Sequence, residues 1–126
     1  MPLLTSLGLI SLALGGASGW LVVAATQNAN WFRSRGVPVP HRFLQMHIDW
    51  LMMGLILIAI QAVAPGMPNW IRGLVAFGSM VNPVLFFPLA WGEKVSEHPV
   101  YRGIAVISFS TISIGLPALA IWALTN

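Results

Sequence analysis

The sequence contains four long runs of apolar residues, and this pattern limits the folds that the chain can adopt. The runs cover residues 3–26, 43–63, 71–91 and 101–124. Each run supplies the roughly 20 apolar residues that a transmembrane helix needs. Of the 126 residues, 57% are hydrophobic and 7% are charged, which leaves no room for a soluble domain. We therefore expect residues 1–126 to form one all-α domain, an integral membrane four-helix bundle.

The first apolar run is expected to remain in the protein as a helix. No basic residue precedes it, and it is longer than the roughly 7–15 apolar residues at the centre of a signal peptide. Ser11, Gly15 and Gly19 recur every four residues along it, and small side chains at this spacing let another helix approach closely. The connection that follows, residues 27–42, is expected to be an ordered loop without a helix because it contains Gly36, Pro38 and Pro40.

Basic residues are distributed unevenly between the connections. Five of them, Arg33, Arg35, Arg42, Lys94 and Arg102, belong to the first and third connections or their edges, and Arg72 alone lies on the opposite side. The positive-inside rule then predicts that loops 27–42 and 92–102 are cytoplasmic, as in a protein of the bacterial inner membrane. The charge indicates contact with the lipid bilayer, since no basic stripe with interleaved aromatic residues favours nucleic acid. The absence of cysteine excludes disulfides.

The second apolar run contains two ionisable residues, His47 and Asp49. Ionisable side chains are rare in membrane spans and usually face a bundle interior, a cofactor or a water-filled cavity. On a helix these two residues point about 200° apart and are not expected to pair. His47 shares its face with Leu51 and Gly54, so a flat ligand is expected to fit there, unless the imidazole is a hydrogen-bonded structural group.

Asp49 shares its helix face with Gln45 and Met53 and is expected to meet another helix or another protomer. A polar residue of the third run, Asn82, is predicted to lie at nearly the same depth as His47, about 8–14 Å from one membrane face. The second and third helices are therefore expected to share one polar site. Nearby hydroxyl groups could add to this site; they are Ser79, Ser108, Ser110 and Thr111. The alternative is a structural role, because serine and threonine in membrane helices often hydrogen-bond a carbonyl of their own helix.

Haem is the ligand that these residues favour. A neutral imidazole such as that of His47 is a normal axial ligand of haem iron, and a haem slot is apolar. Cations at the slot's mouth pair with the propionates, and Arg33, Arg35 and Arg42 are expected at the membrane edge beside His47. A zinc site is disfavoured because it needs three or four protein ligands, and the other candidates are loop residues: His41, Glu93, Glu97 and His98.

The stretch His47-Ile-Asp-Trp-Leu-Met-Met-Gly54 resembles the second helix of the styrene oxide isomerase and hydroxylaminobenzene mutase family, in which a histidine is followed six and seven residues later by Asn-Gly. Asn82, in Met-Val-Asn-Pro, resembles the family's third-helix asparagine. Two positions depart from the pattern: Met53 replaces the motif's asparagine, and Phe86 stands where the isomerase has a pocket tyrosine. Both changes remove a polar group that would hold a substrate oxygen.

The resemblance implies a homotrimer of four-helix protomers with haem b near the protomer interfaces. His47 would be the axial ligand of the haem iron, with Gly54 and Arg42 also binding the cofactor. Asn82 would be the catalytic polar residue. Met53, Phe86 and Asp49 would line a pocket for an apolar small-molecule substrate. The implied activity is an isomerisation without net redox change, in which ferric iron acts as a Lewis acid on an epoxide or an N-aryl hydroxylamine.

Two other functions remain open from the sequence. The losses at Met53 and Phe86 favour a non-catalytic membrane protein, either a haem-binding module or a structural subunit of a larger complex. A transporter or channel is the third alternative, with Asp49 as its proton or cation site, although no internal repeat supports it.

Overall fold

The computed structural model describes residues 1–126, apart from the side chain of Glu93. Four long helices are apolar enough to cross a membrane: α1 (Leu3–Gln27), α3 (Arg42–Val63), α4 (Asn69–Leu89) and α5 (Pro99–Thr125). A short helix, α2 (Ala29–Ser34), follows α1, and a 3-10 turn (Glu93–Glu97) precedes α5. The expected all-α, multi-pass membrane bundle is confirmed, with each span within two residues of its predicted bounds.

Prolines mark several of the helix boundaries. Pro68 immediately precedes α4, and Pro99 is the first residue of α5. A proline suits the first turn of a helix because the backbone N–H groups there have no partner within the helix. The ring Nδ1 of His98 accepts a hydrogen bond from the backbone N–H of Val100 at 3.2 Å, which satisfies one of the remaining donors of α5.

The long helices pack in the order α1, α3, α4, α5. The outer helices, α1 and α5, do not approach within 8 Å of each other between Cα atoms of the described residues, and only a small part of α1 reaches α4. Two apolar cores lie between the helices. The first contains Leu4, Leu57, Ala64, Met67, Ile71, Val75, Ala76 and Leu119. The second contains Ala25, Val37, Phe43, Met46, Trp50 and Ala90.

Glycines allow α1 to lie very close to α3. A Cβ atom built on Gly54 of α3 would lie 2.8 Å from the backbone oxygen of Gly8 and 2.9 Å from Cγ of Leu12. A Cβ on Gly15 of α1 would lie 2.6 Å from the Leu51 side chain. The small-residue stripe of α1 is therefore a helix-packing face, as the sequence predicts.

The first and third connections meet at one end of the bundle, here called the basic end because it carries Arg33, Arg35, Arg42, Lys94 and Arg102. The backbone N–H of Val39 donates to the oxygen of Ala90 at 2.9 Å, and the ring centroids of Phe43 and Trp91 are 6.1 Å apart. Arg72 lies at the opposite end, where Arg72 Nη2 donates to the oxygen of Pro65 at 3.1 Å. The uneven distribution of basic residues along the sequence thus places five of them at one end of the bundle and one at the other.

The expectation of a helix-free first connection is wrong, because α2 forms within it. Aromatic contacts hold this short helix against the bundle: the rings of Phe32 and Phe43 have centroids 6.0 Å apart. The Arg35 guanidinium lies 5.1 Å from the centroid of the Trp31 ring, a cation–π contact. Only after Gly36, which has a φ of 89°, does the chain turn back toward α3.

Candidate functional site

His47 lies at the contact between α3 and α1. Its Nδ1 atom is 2.6 Å from the backbone oxygen of Gly15 and 3.3 Å from the hydroxyl oxygen of Ser18. Ser18 itself donates to the Gly15 oxygen at 2.9 Å. A Cβ atom on Gly19 would lie 3.3 Å from Cε1 of His47, so the absence of a side chain there makes room for the ring. The imidazole is thus held by Gly15 and Ser18 of α1, and Gly19 of the same helix leaves room for it.

The hydrogen-bond network assigns the tautomer of His47. A carbonyl oxygen only accepts hydrogen bonds, so Nδ1 carries the proton that is donated to Gly15. The other ring nitrogen, Nε2, then presents its lone pair, and it makes no hydrogen bond to the described residues. His47 is half-buried. Histidines that bind metals have the same arrangement, with one nitrogen fixed by a backbone carbonyl and the other facing the metal.

The expected ligand surface along His47, Leu51 and Gly54 is covered by α1, so a flat ligand does not fit along that face. Leu51 contacts Gly15, and Gly54 faces the backbone of Gly8. The reason is the glycine stripe of α1, which allows α1 to pack closely on this face of α3. Gly54 therefore serves close helix packing, and only the imidazole edge of His47 remains beside the contact.

Asn82 belongs to a different helix pair. Its Oδ1 accepts a hydrogen bond from the hydroxyl of Ser108 on α5 at 3.1 Å, and Ser108 also lies 3.3 Å from the oxygen of Gly78. His47 is bonded to α1 instead, so the structure does not bring His47 and Asn82 into one polar site. The expectation of a shared site rested on the depth of the two residues in the membrane. It did not take account of the direction in which each side chain leaves its helix. Thr111 bonds the carbonyl of Ser108 in its own helix at 2.7 Å, the structural role expected for such hydroxyls.

Arg42 also points away from His47. The residues are five apart in α3, which turns their side chains about 140° from each other. Nη1 of Arg42 donates to Oε1 of Gln45 at 2.7 Å. Arg42 is therefore not placed to bind a cofactor at the His47 ring. Another basic side chain, Arg33, lines a cavity together with His41 and Leu44.

Asp49 and Met53 share a face of α3 that does not include His47. They continue at helical spacing to Ile60, which lines an apolar groove with Leu116 of α5. The Oδ2 atom of Asp49 is enclosed and has no hydrogen-bond partner among the described residues. Phe86 of α4 packs against the second core beside this face. The proposed substrate-pocket residues therefore lie apart from the His47 imidazole.

Five cavities of the single chain have volumes of about 210–390 Å³. The one nearest to His47 lies one helical turn away, between α1, α2 and α3, and has a volume of about 210 Å³. Pockets for drug-sized ligands span roughly 300–1,000 Å³. Among the described residues, no three His, Cys, Asp or Glu side chains are grouped so as to hold a metal ion. One chain thus offers a histidine ligand without a cavity that encloses a macrocycle.

Sequence reasoning missed two partners of this site. One is the Gly15 carbonyl, because a backbone acceptor on another helix leaves no trace in the residue types. The other is the cavity lined by Arg33 and His41, which lie nine residues and one residue before the start of α3. In the comparisons with known proteins, no family model, no curated protein and no solved structure matches this chain.

Proposed function

We propose that this chain binds haem b through Nε2 of His47 and acts as a membrane isomerase on an apolar epoxide or N-aryl hydroxylamine. The observation that carries the proposal is the 2.6 Å contact between Nδ1 of His47 and the Gly15 oxygen, which leaves Nε2 as a lone-pair donor. Bound haem iron would supply a Lewis acid for a substrate oxygen. The epoxide and hydroxylamine substrates come from the family resemblance alone.

The residues present fit haem as a half-site. The donor chemistry is right, and Gly19 presents no side chain to the ring, where a Cβ would lie 3.3 Å from Cε1 and 4.0 Å from Nε2. The rest of the slot must come from outside the chain, because the nearby cavity is too small. A homotrimer fulfils this need when an apolar face of the next copy covers His47. Exposed apolar side chains flank the contact, among them Ile48 with 45% and Trp20 with 77% exposure.

The same assembly would bring the remaining site residues to the substrate. His47 contacts α1, whereas Asn82 contacts α5, so the two side chains reach one substrate only across an interface between copies. In this arrangement His47 holds its ring orientation through Gly15, and Met53 and Phe86 provide apolar walls. Asn82 orients a substrate oxygen with its amide N–H group, since its Oδ1 is already engaged by Ser108.

A non-catalytic role, as a haem-binding or structural subunit, is the second candidate. Two residues that resemble catalytic or cofactor-binding positions have packing roles here. Gly54 lies against the Gly8 backbone, and Asn82 joins α4 to α5 through Ser108. These contacts account for both residues without a substrate. We also propose a bacterial inner membrane location with the basic end in the cytoplasm, from the positive-inside rule.

The visible absorption spectrum of the purified protein tests the proposal. We expect a Soret band after haem is supplied, and its loss in His47→Ala. The matched control is His41→Ala, because His41 is exposed at the basic end and lies six residues earlier on the chain. Conversion of an aryl epoxide by the haem-loaded protein would favour the isomerase, whereas a His47-dependent Soret band without conversion would favour the non-catalytic role.

A further inference from the structure

A cavity at the basic end combines an apolar floor with a cationic rim. It lies between the last turn of α1, helix α2 and the first turn of α3, and it has a volume of about 210 Å³. Its apolar lining is provided by Val22, Ala25, Ala29, Pro40 and Leu44. Its polar lining is provided by Arg33, His41 and Thr26. Since a water molecule occupies roughly 30 Å³, the cavity has room for a phosphate with its ester carbons.

The charges around this cavity are not balanced by the chain. No acidic side chain among the described residues lines it. The only hydrogen bond of the Arg33 guanidinium is a 3.3 Å contact with Oδ1 of Asn30, a neutral group in an exposed position. Helix α3 begins beside the cavity and has no acidic residue in its first turn. The positive end of a helix dipole therefore adds to the attraction for an anion.

The position of the cavity points to a lipid. The basic end lies where a transmembrane bundle meets the phosphate layer of the bilayer, and Trp31 nearby, 54% exposed, suits the membrane interface. Leu44 and Ile48 continue from the cavity along the outside of α3, with 44% and 45% exposure. These apolar side chains would contact the acyl chain of a lipid whose phosphate binds at the rim of the cavity.

We propose that this cavity is a binding site for the phosphate headgroup of an anionic phospholipid, with Arg33 pairing with the phosphate. The imidazole of His41 and the hydroxyl of Thr26 supply further hydrogen bonds. The proposal is independent of haem binding, since the cavity is one helical turn from His47 and is smaller than a haem pocket.

The test measures how phospholipids raise the melting temperature of the detergent-purified protein. We expect phosphatidylglycerol to stabilise the protein more than phosphatidylcholine with the same acyl chains. In Arg33→Gln the concentration of phosphatidylglycerol needed for half of the stabilisation should rise about fivefold. This is the effect expected from removing one surface cation near an anionic lipid. The control is Arg72→Gln, which removes the one arginine at the opposite end and should leave the effect unchanged.

Two further arms decide the source of the anion. Inorganic phosphate at the same concentration should give no stabilisation, and equal stabilisation would overturn the lipid assignment. Loss of the Soret band of the haem-supplemented protein in Arg33→Gln would assign the cavity to haem propionates instead. An unchanged response to phosphatidylglycerol in both Arg33→Gln and the double variant with His41→Gln would also overturn the proposal.

Discussion

Nδ1 of His47 lies 2.6 Å from the backbone oxygen of Gly15, and this single contact fixes the imidazole from a neighbouring helix. A side-chain partner would be free to rotate, whereas a carbonyl in the middle of α1 is held by the helix itself. Hydrogen bonds between membrane helices contribute about 0.6 kcal/mol on average. The main effect of the contact is thus on the direction of the ring and on its tautomer, which leaves Nε2 available.

The close approach of α1 to α3 predicts a strong effect of a single methyl group. Gly54→Ala would place a Cβ atom 2.8 Å from the Gly8 oxygen, a backbone atom that cannot move without shifting α1. We expect a loss of about 1–3 kcal/mol of stability, as for other overpacked cores. Thermal unfolding in mild detergent would show it as a lower melting temperature.

Gly16→Ala is the matched control for that variant, because a Cβ atom on Gly16 has no neighbour within 4 Å. Its melting temperature should stay the same or rise slightly, since alanine favours a helix over glycine. Equal melting temperatures for Gly54→Ala and the parent protein would contradict the described packing of α1 on α3.

The pairing of Asn82 with Ser108 predicts an energetic coupling between α4 and α5. A double-mutant cycle with Asn82→Ala and Ser108→Ala should give a coupling of about 0.6 kcal/mol, and at most about 1.7 kcal/mol, the range of hydrogen bonds between membrane helices. Equilibrium unfolding in detergent measures the four proteins of the cycle. Additive effects would show that the 3.1 Å contact does not stabilise the protein.

Asp49 offers a test of an unpartnered acid within a membrane span. Its enclosed Oδ2 atom accepts no hydrogen bond from the described residues, so its charge is poorly compensated. We expect Asp49→Asn to stabilise the isolated chain by about 1 kcal/mol, because an amide is easier to bury than a carboxylate. The control is the exposed Glu97→Gln, which should change the melting temperature little. A clear destabilisation by Asp49→Asn would reveal a cationic partner of the carboxylate.

The orientation of the bundle is testable because the chain has no cysteine. A single thiol introduced by Ser34→Cys lies at the basic end, and one introduced by Gly66→Cys lies at the opposite end. In intact bacterial cells, a membrane-impermeant maleimide should label only the Gly66 variant. Labelling of the Ser34 variant alone would reverse the proposed orientation.

Much of the fold follows from the sequence because membrane helices obey simple rules of length and polarity. The apolar runs set the spans, and the spacing of Ser11, Gly15 and Gly19 identified the packing face of α1. Helix α2 was missed because its six residues are held against the bundle by the contact between the rings of Phe32 and Phe43 of α3. Such contacts depend on residues that are distant along the chain.

The candidate site was predicted only in part. Helical periodicity correctly separates His47 from Asp49, yet it does not say which helix covers which face. The face of Leu51 and Gly54 is covered by α1, and Asn82 is turned to α5, so equal depth in the membrane did not bring His47 and Asn82 together. Which neighbouring helix a side chain meets depends on how the helices pack. A local sequence pattern does not show which helix covers which face.

Exogenous imidazole with His47→Gly tests the central claim most directly, because it replaces the ligand while leaving the rest of the chain unchanged. The Soret band of the haem-supplemented protein should be lost in His47→Gly and restored when imidazole is added, whereas His41→Gly should keep the band without imidazole. A Soret band in His47→Gly that equals the parent's before any imidazole is added would contradict His47 as the haem ligand.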